Sequence, residues 1–262
     1  MDLGIRGRTA VVAASSKGMG RAIAEALAAE GAKVAMCSRD GDAVGAAAAE
    51  IRESTGAEVH AASVDVTDPE AVARFVASAR ETLGPVTICV ANCGGPPPGK
   101  FEDFDLDDWK RAFDTSFMST LCLIRETLPD MKSASWGRVV TVTSTSVRQP
   151  VDGLLLSNAI RASVIGLIKS LSNEYGRDNI LFNNVGPGLI ATDRLMSIAG
   201  KRASAAGVSI DEMIESLSGN ASLKRVGQPD EFAAVATFLC SDKASYVTGT
   251  SLMVDGGLTK GI

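Results

Sequence analysis

Short apolar runs alternate with longer stretches of helical spacing along most of the chain. Six runs are brief, rich in β-branched residues and apolar throughout, which is typical of strands buried on both faces. They are residues 9–14, 33–38, 58–64, 86–91, 138–143 and 180–185. Ala-rich segments between them predict helices at 18–30, 42–54, 69–83, 106–132 and 157–176. Strand and helix in alternation predict an α/β fold, a doubly wound parallel sheet with helices on both faces.

The pattern loosens after residue 186, where a Ser/Ala/Gly-rich stretch begins. Ser209 with Glu212 at capping-box spacing opens a further helix, and a helix at 229–240 and a last short strand, SLMVDGG, follow. We expect an insertion at about 193–220 to cover a ligand site at the carboxyl ends of the strands. Because no linker or repeat interrupts the chain, we expect one domain over 1–262.

Amino-acid composition limits the classes of molecule that the protein is expected to bind. The 262 residues carry a net charge of -5, which argues against nucleic acid or an anionic membrane as the main partner. One histidine and five scattered cysteines give no zinc-ligand spacing and no credible Ser/His/Asp triad, so we expect no metal site. The odd cysteine count without a secretion signal, and the lack of an apolar run of ~18 residues, predict a cytoplasmic protein without a membrane span.

A turn rich in small residues joins the first strand to the first helix, in the segment AASSKGMGRAIAEALAAEG at 13–31. Gly18 and Gly20 would let the backbone approach a pyrophosphate, and the helix N-terminus offers free N–H groups to phosphate. Ser15 and Ser16 would add hydroxyl donors. A plain tight turn is the alternative, but the position after the first strand favours a dinucleotide site.

The end of the second strand predicts which dinucleotide is bound. Arg39 stands there with no acid until Asp40, and an arginine accommodates a 2′-phosphate, whereas an acid would bind the free 2′-hydroxyl. Lys17 adds a second positive charge. We therefore expect NADP(H) to be preferred over NAD(H), the alternative being that both are solvated surface cations. Asp65, at the end of the third strand, would accept from the adenine amino group or form a turn.

Several segments resemble motifs of the short-chain dehydrogenase/reductase family, from about residue 6 to residue 257. AASSKGMG resembles its TGxxxGxG turn with Ala14 for the first glycine, VDV at 64–66 its adenine-contacting strand end, and ANCG at 91–94 its NNAG motif. NNVGPGLIAT at 183–192 and the block from 225 to 257 are similar to its later segments. The resemblance implies a Rossmann fold whose cofactor contacts are Ser15, Ser16, Lys17, Gly18, Met19, Gly20, Arg39, Asp65, Val66, Asn92, Gly94, Arg161, Pro187, Gly188, Ile190 and Thr192.

The chain departs from this family pattern at the catalytic residues. Active members use an Asn, a Ser, and a Tyr and Lys four residues apart, and the corresponding residues here are Ser116, Ser144, Ser157 and Arg161. Only the Ser is unchanged. The chain therefore resembles a divergent member, similar to the 3-oxoacyl-ACP reductases, that lacks the usual Tyr/Lys pair. Ser157 and Arg161 still share a helix face at i,i+4 spacing.

These substitutions change the chemistry that the site would perform. A serine hydroxyl is a much weaker acid than a phenol, and Arg161 cannot pass a proton, although its fork can hold ribose hydroxyls or stabilise an oxyanion. We expect Ser144 to polarise a carbonyl or, alternatively, to satisfy the loop backbone. The proton would come from water or Ser157, for which helix capping is the alternative.

The loop between Ser144 and Ser157 lies where the family has its substrate pocket. We expect Arg148, Gln149 and Asp152 to line that pocket, with Arg148 binding a substrate carboxylate or standing exposed. The resemblance implies a small-molecule substrate and a homo-oligomer, a tetramer or a dimer.

Two functions from different classes stay open. The first is an NADP(H)-preferring oxidoreductase that acts on a carbonyl or alcohol, or on a related C=N or C=C bond, with an altered set of catalytic residues. The second is a catalytically inactive nucleotide-binding subunit in a hetero-oligomer with an active family member.

Overall fold

A parallel sheet forms the centre of the computed structural model, which describes residues 2–261. Its strand order is β3-β2-β1-β4-β5-β6-β7, and every neighbouring pair is parallel. The strands are β1 (Thr9–Val12), β2 (Lys33–Ser38), β3 (Val59–Ser63), β4 (Val86–Ala91), β5 (Gly137–Val142), β6 (Ile180–Pro187) and β7 (Ser251–Val254). The predicted doubly wound α/β fold is confirmed, with its switch of direction between β1 and β4.

Helices connect the strands and cover both faces of the sheet. They are α1 (Gly18–Ala29), α2 (Gly41–Thr55), α3 (Pro69–Leu83), α4 (Leu106–Phe113), α5 (Ser119–Ala134), α6 (Leu155–Tyr175), α7 (Asp193–Ala206), α8 (Ile210–Ser218) and α9 (Pro229–Leu239). Buried side chains of α1, α2 and α9 pack on one face, and those of α3, α5 and α6 on the other. Within residues 2–261, no helix combines the length and apolar character that crossing a membrane requires.

Two helical predictions differ from the structure. The helix expected over 106–132 is divided into α4 and α5 by a π-helical turn at Asp114–Met118. The Ser/Ala/Gly-rich stretch after β6 contains a helix, α7, that residue spacing did not predict. Thr192 begins it, since its hydroxyl oxygen accepts a hydrogen bond from the Leu195 N–H at 3.4 Å.

The turn after β1 requires an unusual backbone conformation. Ala14 has a φ of 48°, in the left-handed region that a β-carbon disfavours. Its carbonyl oxygen accepts a hydrogen bond from the Asn92 side-chain amide at 3.2 Å, which joins the turn to the end of β4. The contact thus holds Ala14 in a conformation that glycine would adopt without cost.

Ala14→Gly is therefore expected to raise the free energy of unfolding by about 1 kcal/mol, because it removes the left-handed penalty. Urea denaturation measures this. Ala10→Gly, in buried β1, is the matched control and should lower stability by about 1 kcal/mol. A loss of stability for both variants would show that the Ala14 methyl group contributes more than its backbone costs.

Candidate functional site

The turn before α1, Asn92, Ser144 and the segment after β6 follow the carboxyl ends of β1, β4, β5 and β6, which border one cleft. The turn before α1 lies on one side of this cleft, and the segment after β6 on the other. A β-carbon added at Gly18 would stand 3.4 Å from Cγ2 of Thr192, so the two segments face each other directly. The cleft lies at the switch point of the sheet, where open α/β folds bind their ligands.

Gly20 sets the path of the backbone between β1 and α1. A β-carbon at this position would stand 2.3 Å from the Ala14 carbonyl oxygen and 2.7 Å from Nδ2 of Asn92. Only glycine therefore fits there. Lys17, the N-cap of α1, makes no side-chain capping bond, which leaves the first N–H groups of the helix without a capping side chain.

Ser15 differs from the prediction for it. The side chain is fully buried, its hydroxyl donates to the Val12 carbonyl at 2.8 Å, and it accepts from the Cys37 N–H at 3.2 Å. Because these bonds join the turn to β2, the hydroxyl is not a phosphate donor here. Ser16 and Met19 remain half-buried beside the turn.

The Lys17 side chain is directed towards α7. Its ammonium forms an ion pair with Asp193 at 2.8 Å, and the hydrogen bond and charge of that carboxylate raise the pKa of Lys17. Both side chains are exposed. The expected second charge for a 2′-phosphate is thus paired across the cleft mouth instead.

Arg39 is exposed at the end of β2, as an adenosine-side residue would be. The neighbouring Asp40 carboxylate accepts from the Ala43 N–H at 3.0 Å and so caps α2. Asp65 accepts from both the N–H and the hydroxyl of Thr67, at 3.0 and 2.8 Å, and these bonds lower its pKa. One Asp65 oxygen is thus engaged in a turn. Val66 is half-buried and packs against the core.

Ser144 follows β5 and begins a short 3₁₀ turn. Its hydroxyl oxygen accepts from the Ser146 N–H at 3.1 Å, so the loop-capping alternative also holds. The Ser146 hydroxyl in turn lies 3.2 Å from the Ser157 hydroxyl. Ser157 lies within the first turn of α6 and does not cap it, since the helix begins at Leu155. Sequence reasoning missed Ser146, which connects the other two serines.

Arg161 lies one helical turn after Ser157 and is only 7% exposed. Its Nη1 donates to the carbonyl oxygens of Thr143 and, at 3.4 Å, of Val142, at the end of β5. Its Nε is buried and has no hydrogen-bond partner in the described chain. The guanidinium is therefore fixed beside Ser144, with a donor still free.

Ser116 lies in the π-helical turn between α4 and α5 and is 2% exposed. Its hydroxyl also has no partner among the residues that the structure describes. The π turn packs against α6, which carries Arg161. Two buried donors thus remain unsatisfied in this region, as expected where a ligand or ordered water binds.

Two of the three residues predicted to line the substrate pocket, Arg148 and Gln149, are directed elsewhere. The Arg148 guanidinium lies 3.5 Å from the Ser251 carbonyl oxygen, on the β7 side. The Gln149 side chain accepts from the Lys260 N–H at 3.2 Å, close to the carboxyl end of the chain. Asp152 has an exposed side chain, and its carbonyl accepts from Arg202. The loop after the 3₁₀ turn is directed towards the last strand, which corrects the expectation for Arg148 and Gln149.

The segment after β6 closes the other side of the cleft. Pro187 is buried and ends the strand, and a β-carbon at Gly188 would stand 2.7 Å from Cα of Asp255. Ile190 is buried and pairs with Gly227. Thr192 caps α7. Each residue has a structural role that positions the segment opposite Gly18.

The cleft fits a dinucleotide. The N-terminus of α1 lacks a side-chain cap, so its N–H groups remain available to a pyrophosphate. A β-carbon at Gly94 would meet no atom of residues 2–261 within 4 Å, which leaves open space beside Asn92 at the end of β4. Arg39, Asp65 and Arg161 are the predicted residues that would hold a nicotinamide dinucleotide there.

Comparison with known proteins identifies the family. Residues 13–259 match the family model described as enoyl-(acyl carrier protein) reductase. The chain is 30% identical over 258 residues to the 3-oxoacyl-[acyl-carrier-protein] reductase of Aquifex aeolicus, covering 98% of this chain and 100% of that protein. The chain belongs to the short-chain dehydrogenase/reductase family.

Solved structures of this family are closely similar. L-sorbose reductase from Gluconobacter frateurii, in complex with NADPH and L-sorbose, has a TM-score of 0.95 and 32% identity, over 100% of both chains. A short-chain oxidoreductase from Pseudomonas aeruginosa, bound to NADPH and described as containing an atypical catalytic center, has a TM-score of 0.90 and 30% identity. That match covers 99% of this chain and 100% of the other. The protein is thus an oxidoreductase-family chain with a dinucleotide cleft.

Gly20→Ala is expected to weaken NADPH binding about 10- to 100-fold, because its β-carbon displaces the turn that presents the α1 N-terminus. Fluorescence titration with NADPH measures the Kd. Gly45→Ala is the matched control: nothing lies within 4 Å of a β-carbon there, and it should leave the Kd unchanged. Equal affinity in both variants would mean that the turn does not hold the cofactor.

Proposed function

We propose that the protein is an NADP(H)-preferring oxidoreductase that interconverts a small-molecule carbonyl compound and its alcohol. The observation that carries this proposal is a buried arginine, Arg161, bonded to the carbonyl of Thr143, the residue directly before Ser144. Ser144 accepts a hydrogen bond from the Ser146 backbone, while its own proton has no acceptor in the described chain. Arg161 lies beside it without a carboxylate partner.

These two groups suit an oxygen that becomes negatively charged during reduction. The Ser144 hydroxyl donates to the carbonyl oxygen, and the permanent charge of Arg161 stabilises the developing alkoxide. A partly desolvated guanidinium is most effective there, because little water screens it. When bound, the cofactor supplies the hydride for reduction and accepts it in the reverse direction.

Proton delivery has to differ from that of a tyrosine-containing relative. A guanidinium donates hydrogen bonds but does not pass a proton, and serine hydroxyls ionise far above neutrality. The Ser157 and Ser146 hydroxyls lie 3.2 Å apart, and the backbone N–H of Ser146 donates to the Ser144 hydroxyl oxygen. We assign them to carrying a proton from water to the alkoxide. A substrate with a C=N or conjugated C=C bond places other demands on this step, so it belongs in the substrate panel.

Ser144→Ala is expected to lower kcat for carbonyl reduction about 100- to 1000-fold, because one donor to the developing oxyanion is lost. The NADPH Kd should not change. Loss of NADPH absorbance with a panel of aldehydes, ketones, imines and enones measures the rate. Ser170→Ala, an exposed α6 serine that bonds only the Gly166 carbonyl, is the matched control and should retain full activity.

Absence of any carbonyl reduction would favour the second candidate function, a catalytically inactive subunit. Tight NADPH binding without turnover of any panel member would make the chain a nucleotide-binding subunit that an active family member completes. The double substitution Ser157→Tyr and Arg161→Lys distinguishes a lost proton donor from an altered reaction. A large gain in ketone reduction indicates a carbonyl reductase that lost its proton donor, whereas loss of a measurable native activity indicates altered chemistry.

Support for the NADP(H) preference comes from the end of β2. Arg39 is exposed there, and the Asp40 carboxylate is engaged in capping α2. The L-sorbose reductase and the Pseudomonas oxidoreductase were solved with NADPH, whereas an Escherichia coli relative, 7alpha-hydroxysteroid dehydrogenase, binds NADH. Relatives thus use both cofactors, and we assign to Arg39 the choice between them in this chain.

Arg39→Ala should raise the Kd of NADPH about 10- to 100-fold and leave that of NADH unchanged, because only NADPH carries the 2′-phosphate. Calorimetric titration with each cofactor gives both constants. Arg74→Ala, which removes an exposed α3 arginine, is expected to alter neither. Equal weakening of both cofactors by Arg39→Ala would contradict the assignment.

We also propose a homo-oligomer, which α4 supports. Leu106 is 78% exposed and Phe113 is 40% exposed, although both belong to an amphipathic helix. Trp109 and Ile160 adjoin Phe113 in an open depression between α4 and α6. A second copy of the chain would remove this apolar surface from water.

A further inference from the structure

Arg194 crosses the cleft from the first turn of α7. Its Nη2 donates to the Pro96 carbonyl oxygen at 2.6 Å, and a β-carbon at Gly95 would stand 3.1 Å from the same nitrogen. Gly95 therefore makes room for the guanidinium. The side chain reaches from the segment after β6 to the loop after β4, above the space beside Gly94.

The loop that Arg194 contacts lies on the substrate side of the cleft. The Gly99 N–H donates to the Gly153 carbonyl at 2.8 Å, which joins this loop to the segment between Ser144 and Ser157. The Arg202 guanidinium, two turns along α7, bonds the carbonyl of Asp152 in the same segment. The N-terminus of α1, where a pyrophosphate would bind, adjoins the start of α7 through the Lys17–Asp193 ion pair, whereas Arg194 is directed to the loop after β4.

Two arginines, Arg161 after β5 and Arg194 after β6, bond backbone carbonyls on this side of the cleft without a carboxylate partner. Among residues 2–261, neither Arg161 nor Arg194 forms an ion pair with a carboxylate. The adjacent Asp193 is paired with Lys17. Desolvation, and after it the charge of Arg161, lowers the pKa of Arg194. An uncompensated pair of cations in a partly dry cleft is unfavourable, and an anion bound there relieves it.

We propose that Arg194 binds a carboxylate of the substrate. The substrate is then an oxo acid when the protein reduces it, and a hydroxy acid when the protein oxidises it. This inference rests on the proposed function. Arg161 then faces the reacting oxygen, and Arg194 holds the acid group at the α7 side. A planar guanidinium donates two parallel bonds to a carboxylate, which fixes the orientation of the substrate as well as its charge.

The sequence suggested Arg148 as the residue that binds a substrate carboxylate, and we assign that role to Arg194 instead. Both follow a strand that borders the cleft, but Arg148 bends towards β7 and Arg194 bends over the cleft. Breaking the hydrogen bond between Nη2 of Arg194 and the Pro96 carbonyl would free Nη2 for the ligand. A backbone carbonyl is a weaker partner than a carboxylate, so the exchange is favourable.

The test compares acids with their uncharged esters. Levulinate, benzoylformate and benzoylacetate are assayed beside their methyl esters with wild-type protein, Arg194→Met and Arg194→Lys. Arg194→Met should raise KM for the acids about 10- to 100-fold and leave KM for the esters within about twofold. Arg194→Lys keeps the charge and should recover part of the loss. The NADPH Kd should not change.

Arg202→Met is the matched control, since it removes another α7 arginine that bonds a loop carbonyl. It should affect acids and esters equally. The same equal effect for Arg194→Met would overturn the proposal by assigning that residue a structural role. A higher Kd for NADPH in Arg194→Met would also overturn the proposal, because the anion that Arg194 binds would then be a phosphate of the cofactor.

A binding measurement separates this proposal from the proposed function. If no carbonyl compound is reduced, thermal unfolding of the NADPH-bound protein is followed with each acid and each ester. A rise in Tm with the acids alone, lost in Arg194→Met, supports carboxylate binding even without turnover. No rise with any acid, although NADPH binds, would overturn it.

Discussion

The attachment of α6 to the end of β5 is the interaction on which the site depends. Two contacts one helical turn apart make it: Ser157 with Ser146, and Arg161 with the Thr143 and Val142 carbonyls. Between them lies Ser144. Because the helix is held at both points, Ser144 and the guanidinium keep a fixed relation to each other and to the cleft. Preorganised donors of this kind stabilise a developing charge without reorganising during the reaction.

The sequence resemblance predicts that Arg161 stands where active family members have a lysine, and this attachment accommodates an arginine there. An ammonium is one point of charge on a flexible stem, whereas a guanidinium carries donors on three nitrogens. Arg161 uses Nη1 on the strand carbonyls, which partly offsets the cost of burying its charge, and keeps other donors for a ligand. The altered pair is thus suited to holding an oxyanion, and unsuited to delivering a proton.

Most of the fold could be predicted because its signals are local. Apolar runs marked the strands, and Asp68 followed by Pro69 placed the start of α3 at its observed residue. The π turn at 114–118 and helix α7 were not predicted, because packing against α6 and the capping bond of Thr192 decide them. Neither leaves a clear pattern in residue spacing.

The candidate site was predictable as positions but not as side-chain directions. Family motifs placed Ser144, Ser157 and Arg161 near one another, yet Ser15 turned inwards and Lys17 turned towards Asp193. Arg194 had no distinguishing signal, since it stands in an ordinary-looking helical start. Its meaning arises only from what surrounds it: a second unpaired arginine and a loop carbonyl in place of an acid. Charge balance across a cleft is a property of the folded chain, and the substrate carboxylate that we propose would supply the missing negative charge.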